Sequence, residues 1–204
     1  MRGPRIGYHP RVNARADDSL PQDFQYSQHS QDSRDTERLA DDVDDQQLVG
    51  AAVHAELVRR KATLATAESL TGGALGDLIS ASPGASETYL GGMVTYATEV
   101  KTRVLGVRQA TVEEYGVVSA ECAREMAERV RDLIGTDWGV STTGVAGPTE
   151  QEGKPVGTVF VAVAGPDRTQ HRELDLDGDR AEIRQQACVS AAKLVLEALV
   201  DEPA

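Results

Sequence analysis

The sequence predicts an α/β protein, a three-layer α/β/α sandwich with a mixed sheet, folded as a single domain behind a disordered N-terminal tail. Short β-prone runs alternate along the chain with stretches whose apolar residues recur at helical spacing, the pattern of a sheet with helices on both faces. At 204 residues the chain is long enough for one good-sized core, and the domain-size prior favours one domain over two. Residues 1–45 hold ten acidic residues, Arg2, Arg5, Arg11, Arg15 and scattered Gln, Ser and Pro. Having almost no apolar periodicity, they bury too little to offset the entropy of ordering. The tail is therefore placed at 1–45 and the folded domain at 46–204.

The folded part opens with a helix from Gln46 to Lys61, in which Leu48, Ala51, Ala52, Ala55 and Val58 share one face. "ATLATAE" (62–68) is short and alternating, which suits a strand, and "GGALGDLISASPG" (72–84) reads as a helix stopped by Pro83 and Gly84. "GGMVTYA" (91–97) is a second strand, and "TEVKTRVLG" (98–106) a short helix capped by Thr98 and ending in glycine. A long amphipathic helix follows at 119–135, with Ser119 as its cap and Gly135 as its stop. "WGVSTTG" (138–144) and "GTVFVAVAG" (157–165) are buried-strand material, and the alternating "TQHRELDLD" (169–177) suits a half-exposed strand. The last helix, Arg180 to Val200, is expected to bury Ile183, Ala187, Ala191, Leu194 and Ala198. No internal repeat is visible.

Asp and Glu outnumber Lys and Arg by 33 to 21, a formal net charge of -12. A field of that sign repels phosphate backbones, which argues against nucleic acid as a partner; an anionic ligand has to be held by a local nest of donors. The acid excess, with lysine only at 61, 101, 154 and 193, resembles the composition of proteins from salt-loving organisms. No apolar stretch near the N-terminus suits a signal-peptide core and none is long enough to span a bilayer, so a cytoplasmic protein without a membrane partner is expected. Cys122 and Cys188 lie on separate helices without CxxC spacing, which argues against a disulfide framework or a zinc site. Both read as buried small hydrophobes.

In an α/β sheet, active groups gather where strands end and loops begin. Ser69, with Thr71, Gly72 and Gly73, stands at such a strand-to-helix turn. Its hydroxyl would lie at the positive end of a helix, with backbone N–H groups near enough to meet an oxyanion. The same residues also read as an N-cap followed by turn glycines. "VTYATEVK" (94–101) puts Tyr96 at a strand end and Lys101 about one turn into a helix, where a cation opposes the macrodipole. A free lysine is neutral at pH 7 in only roughly one molecule in 2,500; helix dipole and burial raise that fraction and suit Lys101 to act as a base. The plainer alternative is a solvated Lys101 or one paired with Glu99, beside an ordinary core tyrosine.

"TTGVAGP" (142–148) is a strand end that has to turn tightly, and its N–H groups can face a phosphate or ribose or simply form a Gly-Pro turn. Arg180 and Arg184 open the last helix against its dipole. They suit an anion, or pairing with Asp177, Asp179 or Glu182. His9 and His29 are in the tail, His54 is on the first helix and His171 in the last strand. None lies near these turns, so a Ser-His-Asp triad or a histidine metal site is not expected. If Ser69 is a nucleophile, its base is a lysine.

"TAESLTGG", "GGMVTYATEVK", "LGV", "YGVVSAE", "TTGVAGP", "KPVGTVFVAVA" and "GDRAEIRQQA", in this order, resemble the C-terminal domain of the competence- and damage-inducible CinA family, whose enzymatic members are nicotinamide-nucleotide amidohydrolases. The resemblance covers about residues 46–200. It implies hydrolysis of the carboxamide of nicotinamide mononucleotide by a Ser-Tyr-Lys arrangement of Ser69, Tyr96 and Lys101, with Tyr96 as a relay. Backbone N–H groups at Thr71, Gly72 and Gly73 are the oxyanion candidates, and Thr143, Gly144, Gly147 and Arg180 the candidates for ribose and phosphate. It implies a small-molecule nucleotide substrate, no metal and no cofactor, and allows a homodimer. A non-catalytic nucleotide-binding or regulatory module is the competing reading. Where the family commonly shows Ser-Asn-Glu-Ala-Lys after the tyrosine, this chain has Ala97-Thr98-Glu99-Val100-Lys101. Where the family is richer in glycine, it has Thr149-Glu150-Gln151-Glu152, and the two acids are expected to weaken binding of a phosphate.

Overall fold

Apolar alternation in the strands and apolar stripes on the helices assemble here into three layers around a mixed five-stranded sheet. The computed structural model describes the backbone of residues 33–202 and the side chains of residues 47–202. For residues 1–32 the expected tail lies outside the described residues. For 33–45 the structure differs from that expectation, because helix α1 runs from Ser33 to Arg60. A polar stretch that could not start a helix can continue one, since each residue added to a formed nucleus gains a hydrogen bond. The packed turns from Val49 to Leu57 supply that nucleus.

The face that α1 buries also differs from the sequence reading. Val49, Val53 and Leu57 are buried, whereas Leu48 is 68% and Val58 44% exposed. Both stripes have helical spacing, so periodicity alone cannot choose between them. The close approach of the next helix does: a Cβ on Gly50 would stand 2.6 Å from the carbonyl oxygen of Leu78. The glycine therefore marks the side on which the helices touch.

After α1 come β1 (Leu64–Glu68), α2 (Ala74–Ser80) and β2 (Tyr89–Val94). The short α3 (Thr98–Val100) runs directly into a π-helical turn over Lys101–Leu105. Its N-cap is Ala97, not Thr98 as expected, and no side chain caps it. Next are α4 (Gln109–Tyr115), α5 (Ala120–Ile134), β3 (Trp138–Gly144), β4 (Thr158–Ala164), β5 (Thr169–Asp175) and α6 (Arg180–Asp201). The sequence reading missed α4 for a physical reason. Thr111 is its one buried residue, and the hydroxyl of that threonine donates to Glu125 at 2.6 Å. A helix held by a polar contact leaves no apolar period to read. By contrast, Ser119 caps α5 by accepting from the Cys122 amide, and Gly135 ends it in the left-handed region, as expected.

The strand order is β2-β1-β3-β4-β5. β1 runs parallel to both β2 and β3, while β3–β4 and β4–β5 are antiparallel. On one face α1, α2 and α6 bury a core that includes Leu57, Leu64, Leu75, Val161 and Ile183. Each such side chain contributes about 1.5–3 kcal/mol of apolar burial. On the other face α5 packs Cys122, Met126 and Val130 against Ala65, Ala67 and Phe160. β4 supplies both cores, with Val159, Val161 and Val163 facing one and Phe160, Ala162 and Ala164 the other. α6 buries the expected Ile183, Ala187, Ala191, Leu194 and Ala198, and Cys122 and Cys188 are free buried thiols. No helix among the described residues is long and apolar enough to cross a membrane.

The chain leaves β1 for β2 through α2 on one face and returns to β3 through α5 on the other. The connections diverge at β1, and in open α/β sheets the crevice outside the carboxyl ends at such a point is where ligands bind.

Contact between α5 and β3 depends on Gly139, where a Cβ would collide with the backbone carbonyl of Ala127. Overpacking of this kind costs about 1–3 kcal/mol, so Gly139→Ala should lower the melting temperature by several degrees at roughly 2–4 °C per kcal/mol. Thermal unfolding followed by circular dichroism checks this. An unchanged midpoint would mean that helix and strand can separate freely.

Candidate active site

Glu68, the last residue of β1, points its carboxylate at the N-terminus of α2. It accepts from the backbone amides of Gly73 at 2.8 Å, Leu75 at 3.0 Å and Gly76 at 2.8 Å. The helix start thus receives a buried anion, the charge that its dipole and free N–H groups favour. Ser69 comes next, and its amide continues the sheet by donating to the carbonyl of Thr142 at 3.0 Å. The far side of the turn is held by α6, from which Arg184 donates to the carbonyls of Leu70 at 3.0 Å and Thr71 at 2.6 Å. Arg184 was expected to suit an anion or a nearby acid; it fastens the serine turn instead.

Lys101 enters from the opposite wall. The chain leaves β2 through Thr95, whose amide donates to the Glu68 carbonyl at 2.7 Å, and turns into α3 and the π-helical segment. There Lys101 is 1% exposed, and its Nζ lies 2.9 Å from Ser69 Oγ and donates to the Thr95 carbonyl at 2.6 Å. Burial pulls the Lys101 amine below the ordinary lysine value, because an ammonium is poorly solvated there. The alternatives of a solvated Lys101 or one paired with Glu99 do not hold. Ser69 does not cap α2, since Gly73 occupies the N-cap position.

Other expected site residues divide. Ser69, Tyr96, Lys101, Thr143, Gly144, Gly147 and Arg180 line one pocket of about 340 Å³, within the size range of small-molecule sites. Tyr96 is not a relay in this geometry. It is 59% exposed, and its hydroxyl accepts from Arg180 Nη2 at 2.7 Å; among the described residues no hydrogen bond joins it to Ser69 or Lys101. Arg180 also donates through Nη1 to the Gly147 carbonyl at 2.7 Å. The acids near it, Asp179 and Glu182, form the capping box of α6 and leave the guanidinium to the pocket. Thr143 is buried, and its hydroxyl donates to the Val117 carbonyl at 2.6 Å.

The expected oxyanion donors need correction. The amide of Gly73 is engaged by Glu68, and that of Gly72 donates to the Ser69 carbonyl at 3.2 Å. Of the three expected donors, only the Thr71 amide has no protein acceptor among the described residues, and the amide of Leu70, directly after the serine, shares that state. Of the two acids in the loop after Pro148, Glu150 lines the pocket. Glu152 instead accepts from the backbone amides of Val117 and Val118. Sequence reasoning missed Glu68 and Glu152, although an acid just ahead of two glycines and a helix is the legible trace of the first. No group of His, Cys, Asp and Glu among the described residues could hold a metal ion.

A serine hydroxyl touching a buried amine of lowered pKa can add to a carbonyl carbon, because a neutral amine can accept the hydroxyl proton. Known proteins resemble this chain in sequence and in fold. A profile of the CinA C-terminal domain matches residues 46–199. A CinA-like protein of Frankia casuarinae is 50% identical over 147 residues, which are 72% of this chain and 34% of that protein. A putative competence-damage inducible protein of Caldanaerobacter subterraneus is 46% identical over 154 residues, 75% of this chain and 37% of that one. The chain thus spans about a third of the length of these curated relatives. Among solved structures, a competence-damaged protein (CinA) superfamily member from Klebsiella pneumoniae superposes with a TM-score of 0.75 at 32% identity, covering 77% of this chain and 99% of that one. The competence/damage inducible protein CihA of Agrobacterium tumefaciens does so with 0.73 at 30% identity, covering 77% and 96%.

The buried amine has a thermodynamic signature. Lys101 holds its proton less tightly in the folded chain than in the unfolded one, where its value is about 10.4. Between the two values the unfolded chain binds more protons, so this residue makes stability rise with pH through that window. Lys101→Met, which removes the charge and keeps the bulk, should therefore melt higher than the wild type at pH 7. The gap should narrow as the pH approaches 10. Melting curves of both proteins across this range check it, and a gap that does not change with pH would show that the buried ammonium carries no cost.

Proposed function

The chain belongs to the CinA C-terminal domain family, and from that premise and the contact between Lys101 and Ser69 we propose that it hydrolyses the carboxamide of nicotinamide mononucleotide to nicotinate mononucleotide and ammonia. The names of the relatives speak of competence and damage and state no reaction. The observation that carries the reading is the 2.9 Å approach of a buried Lys101 amine to the Ser69 hydroxyl. A 1% exposed lysine that faces a serine lining an open pocket supports a reaction at that pair.

The geometry is compatible with the following steps. Neutral Lys101 takes the proton of Ser69 Oγ as the oxygen adds to the carboxamide carbon, and the oxyanion that forms is met by the amides of Leu70 and Thr71. The protonated Lys101 then gives its proton to the amide nitrogen, the C–N bond breaks and ammonia leaves an acyl-enzyme. Water, deprotonated by Lys101, adds to the ester carbon; the bond from that carbon to Ser69 Oγ breaks as Lys101 returns the proton to Oγ, and the acid set free ionises to a carboxylate. The Thr95 carbonyl, 2.6 Å from Nζ, fixes the amine in place and accepts one of its hydrogens in every state. At the pocket mouth Arg180 uses one N–H each for Tyr96 and Gly147. Its remaining N–H groups suit the phosphate of the nucleotide. Glu150, on the same wall, opposes that phosphate and makes Arg180 the more necessary.

Ser69→Ala should leave a folded protein whose ammonia release from nicotinamide mononucleotide falls by roughly a thousandfold or more, the scale on which removal of a nucleophile acts. Lys101→Arg should be nearly as damaging as Lys101→Ala, since an arginine keeps the charge and cannot take a proton. Wild-type turnover should rise with pH below the ordinary lysine range, as Lys101 gives up its proton. Ammonia assays of the four proteins at saturating nucleotide decide the matter: near-wild-type turnover in Ser69→Ala removes the covalent route, and retained turnover in Lys101→Arg makes the lysine an electrostatic anchor.

A further inference from the structure

The turn Gln151–Lys154 closes with two backbone hydrogen bonds, from Gln151 N to Lys154 O at 3.1 Å and from Lys154 N to Gln151 O at 2.9 Å. Its two central residues, Glu152 at φ 53° and Gly153 at φ 71°, both lie in the left-handed region. Gly, Asn and Asp suit both places in such a turn, whereas a glutamate at the first is strained. What stands there has a specific task in space. The Glu152 carboxylate crosses to the segment between α4 and α5 and accepts from the amides of Val117 at 3.1 Å and Val118 at 3.0 Å. Val117, Val118, Thr149, Glu150 and Gln151 all line the pocket, so the carboxylate joins two of its lining segments. Thr143 completes the tie by donating to the Val117 carbonyl.

We propose that Glu152 is a positioning residue that latches the turn at 151–154 to the Val117–Val118 backbone and so holds the substrate pocket closed along that side. The proposal rests on the amidase reading for the identity of the substrate and on the carboxylate-to-amide contacts for the latch itself. It accounts for an acid at a backbone position that favours glycine, because an unstrained glycine there would leave the two amides without a partner. The carboxylate also faces the reacting amine at longer range. Besides the Ser69 hydroxyl and Thr95 carbonyl that it touches, two titratable groups act on Lys101 across space, Glu152 and the Cys122 thiol of α5. Burial pushes that thiol up to about 12, so it is uncharged where the lysine titrates, and Glu152 is the anion of the two.

Two variants separate a latch from a mere turn residue. Glu152→Gly relieves the positive φ but takes the acceptor from two amides, so the melting temperature should hold or fall slightly while the Val117 and Val118 amides exchange with solvent at least tenfold faster. KM for nicotinamide mononucleotide should rise roughly tenfold, the scale of losing hydrogen bonds to a charged group, with turnover changed far less. Glu152→Gln keeps the length and removes the charge. Its KM should rise as well, and without the anion Lys101 loses its proton more readily, so the acid limb of the pH–rate profile should move to lower pH. Unchanged amide exchange, or a KM within twofold of the wild type in both variants, overturns the proposal. If the wild type releases no ammonia, the amidase reading fails, and the exchange rates of Val117 and Val118 alone decide whether Glu152 is a latch.

Discussion

The carboxylate of Glu68, buried at the end of β1 and bonded to three backbone amides of the next turn and helix, is the interaction on which the site depends. A buried anion without partners would be costly, and three amides without an acceptor equally so. Together they satisfy each other and leave one path for the chain between Glu68 and Ala74. Ser69 projects from that path with its own amide still in register with β3. The backbone of Glu68 has a second use, since its carbonyl accepts the Thr95 amide and hydroxyl, and Thr95 in turn holds Lys101. One residue therefore sets the Ser69 hydroxyl through its side chain and the Lys101 amine through its backbone.

The opposing wall is built by the same physical device, with less burial. Glu152 meets two amides of a pocket-lining segment as Glu68 meets three at the start of α2. In both cases a carboxylate neutralises backbone donors that no secondary structure satisfies. Net charge points in the same direction. A chain with 33 acids and 21 lysines and arginines repels anions at long range, yet inside the pocket Lys101 and Arg180 stand free of salt bridges among the described residues. The site presents cations locally within a surface of opposite sign.

Much of this was legible in the sequence. Strand ends carry the candidate groups, so the residues alone placed Ser69, Lys101 and Thr143 at turns and the absence of histidine pointed to a lysine, while their grouping into one site came from the resemblance to the CinA family. What was not legible depended on direction. Tyr96 sits where the pattern placed it, but whether its hydroxyl meets Lys101 or Arg180 is decided by α6, an element 84 residues away. The amides of Gly72 and Gly73 looked free because their acceptors, the Ser69 carbonyl and the Glu68 carboxylate, come near only after the turn forms. The face of α1 was misread because two stripes shared one period and the contact at Gly50 chose between them. α4 left no trace, being tied down by a threonine rather than by apolar side chains.

The grip of Arg184 on the carbonyls of Leu70 and Thr71, over sequence separations of 114 and 113 residues, bears on the order of assembly during synthesis. The serine turn is made first and its fastener follows 113 residues or more later. A nascent chain can form the parallel pairing of β1 with β2 and β3 while α6 is still inside the ribosome, but its serine turn is then held on the Glu68 side alone. Contacts so distant in sequence are slow to form, so Ser69 and Lys101 acquire their final setting only when α6 docks. The shape of the serine turn thereby waits on an element synthesised long after it.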